Sequence, residues 1–150
     1  MKTPKAFLVR AAISLLITVS FFVGCRKKAI TLEFVIPNGY NGIVKIHAGV
    51  ADGIELMTKD GTISLVFPPS GISAVKGQLP TFEWHKPVAR YSNGVGIPVP
   101  GPNISVPDDA IALRALGVKN NNTESRYLVG TADQMQAAMN QFYGFEVPKR

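Results

Sequence analysis

A mostly β fold is the one this sequence predicts: two sheets packed as a sandwich, with one α-helix at the C-terminus. Three observations predict it. Short runs of alternating apolar and polar residues recur along the chain, which is the period of a half-buried strand. Clusters of Gly, Pro, Asn and Asp punctuate those runs. A single stretch near the end switches to helical spacing.

The strands come first. Leu32, Phe34 and Ile36 alternate with Thr31, Glu33 and Val35. Val44, Ile46 and Ala48 alternate with Ile43, Lys45 and His47, and Ile63, Leu65 and Phe67 with Thr62, Ser64 and Val66. Phe82 and Trp84 alternate with Thr81, Glu83 and His85. Later runs cover Val88 to Ser92, Ala110 to Leu116 and Arg126 to Val129. Strands with one apolar and one polar face pack as two sheets, in an immunoglobulin-like arrangement.

The turns between them have physical causes. Pro37-Asn38-Gly39-Tyr40-Asn41-Gly42 separates the first two runs; Pro37 cannot donate to a ladder and the glycines tolerate positive φ. Lys59-Asp60-Gly61 is a tight-turn signal. Asn120-Asn121-Asn122-Thr123 reads as a polar loop between two late strands. The segment Asn93–Asp109 carries Pro98, Pro100, Pro102 and Pro107 with three glycines. It cannot be a central strand, so it either protects a sheet edge, connects, or binds.

The helix begins at a capping box, with Thr131 as N-cap and Gln134 three residues on. Met135, Ala138, Met139 and Phe142 fall on one face, and Gly144 supplies the stop. This stripe reads as a lid on the sheet core rather than a cofactor site.

The N-terminus carries an address. Lys2, Lys5 and Arg10 precede an apolar run, Ala11–Gly24, which ends at Cys25, the only cysteine. A cationic start, a short apolar stretch and a small residue before the cut make a secretory signal. The run falls short of the roughly 20 apolar residues of a bilayer span. Phe22-Val23-Gly24-Cys25 resembles the lipobox of bacterial lipoproteins, although that motif usually has Leu where Phe22 stands. The resemblance implies cleavage after Gly24, a diacylated sulfur on Cys25 and a further acyl group on the new N-terminus. An ordinary cleaved signal and an uncleaved anchor are the alternatives. The expected division is a signal peptide over residues 1–24, a lipidated basic tether over 25–29 and one β-sandwich domain over 30–150. The expected location is the bacterial cell envelope, outside the cytoplasm. In a two-membrane cell the outer membrane is favoured, because Arg26 is not a retention residue in enterobacterial sorting.

The formal charge of +6 suggests a nucleic-acid partner, but the signal and tether account for all of it. From Ala29 onward, ten Lys or Arg face ten Asp or Glu. Arg26, Lys27 and Lys28 sit beside the lipid, where basic residues favour anionic headgroups. No basic stripe remains for nucleic acid.

A second resemblance covers scattered parts of the mature domain. Ile36-Pro37-Asn38-Gly39-Tyr40-Asn41-Gly42-Ile43-Val44-Lys45-Ile46 resembles the opening of an uncharacterised family of exported and lipid-anchored bacterial proteins. Their pattern is approximately Ile-Pro-x-Gly-Tyr-x-Gly-x-Val-x-Ile. Pro68–Ile72 and Val129-Gly130-Thr131 extend the likeness. It implies a prealbumin-like sandwich and brings no catalytic residues.

Chemistry is sparse in the mature chain. With no second cysteine, no disulfide or thiolate cluster can form. No H-E-x-x-H, G-x-S-x-G or phosphate-loop pattern occurs. The acidic turn tips Asp52, Asp60 and Asp108-Asp109 lack calcium-loop spacing. Glu83 and His85 share a strand face and could present a carboxylate–imidazole pair, but exposed polar residues are the ordinary explanation. The expectation is therefore no catalytic residues, no metal and no cofactor. Trp84, Tyr91 and Tyr40 could form an aromatic platform for a sugar or peptide. The expected role is a non-enzymatic module held on a membrane by its lipid, with a protein or glycan partner. A structural envelope accessory and a metal-dependent or hydrolytic enzyme are the alternatives.

Overall fold

Each run of alternating residues among those described becomes a strand. The computed structural model describes residues 29–79 and 85–144. The strands are β1 (Ile30–Ile36), β2 (Gly42–His47), β3 (Thr58–Lys59), β4 (Thr62–Val66) and β5 (Ile72–Ala74), then β6 (His85–Tyr91), β7 (Gly96–Ile97), β8 (Ala112–Lys119) and β9 (Glu124–Gly130). Helix α1 (Ala132–Tyr143) follows. The predicted run over Thr81–Trp84 lies outside the described residues; its last member, His85, opens β6.

The strands form two sheets, as the alternation predicts. One has the order β3-β4-β1-β6-β7 and the other β5-β2-β9-β8. Both are mixed. β1 is parallel to β4 and to β6, and β2 is parallel to β5. The pairs β2/β9, β8/β9, β3/β4 and β6/β7 are antiparallel.

The core lies between the sheets. Leu32, Phe34 and Ile36 of β1 meet Val44 and Ile46 of β2, Ile63 and Leu65 of β4, Leu113 and Val129. Phe34 stacks near Phe67, with centroids 6.2 Å apart, and takes the edge of Tyr127 at 4.8 Å. One residue departs from the alternation. Val35, assigned to the polar face, is buried. β1 is the middle strand of its sheet, and Val35 pairs with Val66 on one side and Arg90 on the other, so its outward face is covered too.

The turns match their signals. Asp60 and Gly61 both have positive φ, 51° and 77°, which suits the tight β3–β4 hairpin. Asn120, Asn121 and Asn122 take φ of 53°, 52° and 69° between β8 and β9; Asn tolerates this region better than other side chains. The sequence did not show β3, β5 or β7. These are two or three residues long, too short to display a period.

Helix α1 has the predicted capping box. The Gln134 amide donates to the Thr131 hydroxyl at 3.3 Å, and the Thr131 amide donates to Gln134 Oε1 at 2.9 Å. Gly144 closes it in the left-handed conformation. The helix covers the outer face of the second sheet rather than the inter-sheet core. Ala138, with Met135 and Met139, packs on Leu116, Leu128 and Ile43 as a separate cluster. The molecule therefore has three layers: sheet, sheet and helix.

The proline-rich segment joins those layers along one side. Gly96–Ile97 pairs with β6. One residue later the Pro98 carbonyl accepts from the Leu113 amide of β8 at 2.9 Å. The Asp108 carbonyl accepts from the Ala132 amide, at the start of α1, at 2.8 Å.

Candidate functional site

β8 is the outer strand of its sheet, and its free edge creates the main cleft. The Leu113 amide points away from β9, toward Pro98. Two residues on, Ala115 faces the same way and is exposed. The register then shifts between Ala115 and Gly117. Leu116 keeps the face of Arg114 and joins the helix cluster, and the bulge brings Gly117 opposite Arg126 and bends the edge. Gly117 has φ 143°, and a Cβ there would lie 3.1 Å from the Phe142 ring. The bulge thus depends on a glycine.

The result is a cleft of about 490 Å³ along β8, within the size range of ligand pockets. Pro87, Val99, Pro100, Leu113 and Met135 form apolar walls. Its polar groups are Arg114, Arg126, His85 and Tyr127, and no carboxylate is among its described lining residues.

Its two guanidinium groups are not equivalent. Arg126 forms an ion pair with Glu124 and lies 5.3 Å from the centroid of the Phe142 ring. Glu124 also accepts from Asn120 Nδ2 at 3.0 Å. Hydrogen bonding from Arg126 outweighs burial and holds the Glu124 carboxyl below its ordinary value; the charges of His47 and Lys45 act in the same direction. Among the described residues Arg114 has no such partner. Its Nε donates to the Gly130 carbonyl at 3.3 Å, and its Nη2 is buried without a hydrogen bond. Burial raises the pKa of Tyr127, which keeps its hydroxyl a neutral donor.

Tyr40 and Tyr91 are brought together at the opposite end of the sandwich. Tyr91 donates to the Tyr40 carbonyl at 3.4 Å, and Tyr40 donates to the Ile43 carbonyl at 2.8 Å. Both rings are half-buried against the main core. Nearby, Asn93 donates to Asn38 at 2.8 Å. Trp84, the third member of the expected platform, lies outside the described residues, as do Cys25 and Glu83. The exposed large apolar side chains of the proline-rich segment, Val95 and Ile104, are aliphatic.

His47 lies beside Lys45 on the helix-side face of β2, opposite Glu124 of β9. Among the described residues, no three of His, Cys, Asp and Glu converge to hold a metal ion. A second hollow, about 460 Å³, lies beside Ile54, Val66 and Ile72. Ser73 lines it, and its buried hydroxyl has no hydrogen-bond partner. That hydroxyl is neutral and leaves no charge to balance.

Sequence reasoning placed Arg114 in a strand but gave it no role. A lone arginine between Leu113 and Ala115 was the available signal. Its lack of a carboxylate partner among the described residues depends on which distant segments pack beside it.

No family model matches the chain, and no curated protein does. Among solved structures, the chain is similar to the crystal structure of a candidate lipoprotein from Bacillus anthracis. The identity is 15% and the TM-score 0.47, over 82% of this chain and 84% of that one. A likeness at that distance carries no functional argument.

Proposed function

We propose that the protein is a lipid-anchored component of the bacterial cell envelope that binds a ligand rather than transforming one. The observation that carries the anchor is Cys25, the chain's only cysteine, directly after Gly24 and the apolar run. Two or more acyl chains on that residue make a stable attachment, whereas one is only marginal. Arg26, Lys27 and Lys28 add attraction to anionic headgroups. The neutral charge balance from Ala29 onward supports a role other than nucleic-acid binding. The cleft beside β8, with apolar walls and one unmatched guanidinium, supports the binding role.

The test is fractionation of cells expressing the full chain or Cys25→Ser. Wild type is expected in the membrane pellet after a carbonate wash and to incorporate labelled palmitate. Cys25→Ser is expected to lose both properties. Retention of the variant in the washed pellet would mean that the apolar run is an uncleaved anchor.

A further inference from the structure

We infer that the cleft beside β8 holds an amphiphile drawn from the membrane, its anionic head on Arg114 and its apolar chain on Val99, Pro100, Leu113 and Met135. The inference deepens the proposed function and rests on the lipid anchor for its supply of ligand.

Charge argues for the anion. Arg114 Nη2 is buried and unpaired, and such a group is destabilising until it finds an acceptor. The neighbouring Arg126 is already matched by Glu124, and the cleft's described lining has no carboxylate. An incoming carboxylate or phosphate supplies the missing acceptor, and a guanidinium suits both. Arg114 itself lines the cleft, and turning its guanidinium toward a ligand would break one long hydrogen bond to Gly130. The Tyr127 hydroxyl offers a second donor.

The apolar walls argue for the chain. Six of the described lining residues are Pro, Val, Leu or Met. A purely ionic ligand would leave that surface facing water.

Position argues for the source. His85 lines the cleft and pairs with Ile30, the first residue of β1. Ile30 is five residues after Cys25, so an extended tether spans about 17 Å. Lipid at Cys25 therefore keeps this end of the cleft close to the bilayer surface.

The test uses the full chain reconstituted in phosphatidylcholine vesicles. These carry a photoactivatable fatty acid, the matching alkyl phosphate or the matching neutral alcohol. Crosslinks are mapped by peptide mass spectrometry. Both anionic probes are expected to label the peptides that contain Val99–Pro100 and Leu113–Val118, and the alcohol about tenfold less. That factor corresponds to one hydrogen bond to a charged group. A preference between the two anionic probes identifies the headgroup. Arg114→Met is expected to reduce anionic labelling to the alcohol's level, and Arg114→Lys to restore part of it. Ala115→Phe, at an exposed position within the cleft, is expected to block labelling without altering the circular dichroism spectrum. Equal labelling by acid and alcohol, or labelling unchanged in both Arg114→Met and Ala115→Phe, overturns the inference. Flotation with the vesicles is scored separately. Protein that floats unlabelled refutes the cleft's ligand alone, and protein that fails to float refutes the anchor.

Discussion

Glu33 holds an arginine across strands, and Glu124 holds one two residues along its own strand. Glu33, on the middle strand, accepts from Arg90 at 2.8 Å and from Ser64 at 2.6 Å, and so ties β4, β1 and β6 in register. Hydrogen bonds from Arg90 and then Ser64 hold its carboxyl below the ordinary value of 4.5, as Arg126 does for Glu124. The sign of the linkage follows. A depressed folded pKa gives stability that is fully present above pH 4.5 and is lost as pH falls through the lowered values. Urea unfolding between pH 6 and pH 3 is expected to show that loss, and Glu124→Gln to show a shallower one. An identical slope in the variant would mean that Glu124 contributes nothing. Gly71 is a second sensitive position. It has φ 70°, and a Cβ there would lie 2.1 Å from the Tyr40 hydroxyl oxygen. Gly71→Ala is expected to destabilise by more than about 1 kcal/mol, beyond the penalty for left-handed backbone alone. Thermal unfolding of Gly71→Ala and of Gly71→Ala with Tyr40→Phe separates the clash from the backbone strain.

At the scale of elements, α1 was the most legible part of the chain, because its start, face and stop are all local. Thr131→Ala is expected to cost about 1 kcal/mol through the lost cap, measured by chemical denaturation; no change would mean the helix is held by packing alone. The helix's destination was less legible. Periodicity showed that Met135, Ala138, Met139 and Phe142 share a face, but not that Leu116 and Leu128 would receive them. Leu116 shares its face with Arg114, which pairs with Leu128, but the partner strand that sets this face is not encoded locally. The strands tell the same story. Alternation assigned Phe34 and Val44 to a core, yet period two is blind to partner and direction. The parallel pairing of β1 with β6 joins residues about 55 apart, and nothing in either segment encodes that choice. The cleft was not legible either, since it arises where Pro87, Val99 and Leu113 come together from three elements. Of the residues proposed for binding, Tyr40 and Tyr91 were legible as neighbours of turns. Their hydroxyls proved to be engaged with backbone carbonyls.

The whole molecule has two distinct ends. One carries the start of β1, His85 and the β8–β9 turn; the tether can only attach there. The other carries Tyr40, Tyr91, Asn38 and Asn93, on loops that point away from the attachment. A lipid at Cys25 would thus present the tyrosine end outward and the cleft's His85 end inward. The three layers share this polarity, since the proline-rich segment links the first sheet, the second sheet and the helix along one side.

The position of β1 in its sheet bears on the order of folding. It is the first of the described strands to be synthesised and the middle strand of the larger sheet. Its neighbours are β4, about 30 residues on, and β6, about 55 residues on. Until those segments exist, the apolar face of Leu32, Phe34 and Ile36 has no sheet to join. Closing such long loops is entropically slow. The emerging chain therefore passes through a long period in which its future centre is unpaired, and the domain assembles late, around the strand that was made first.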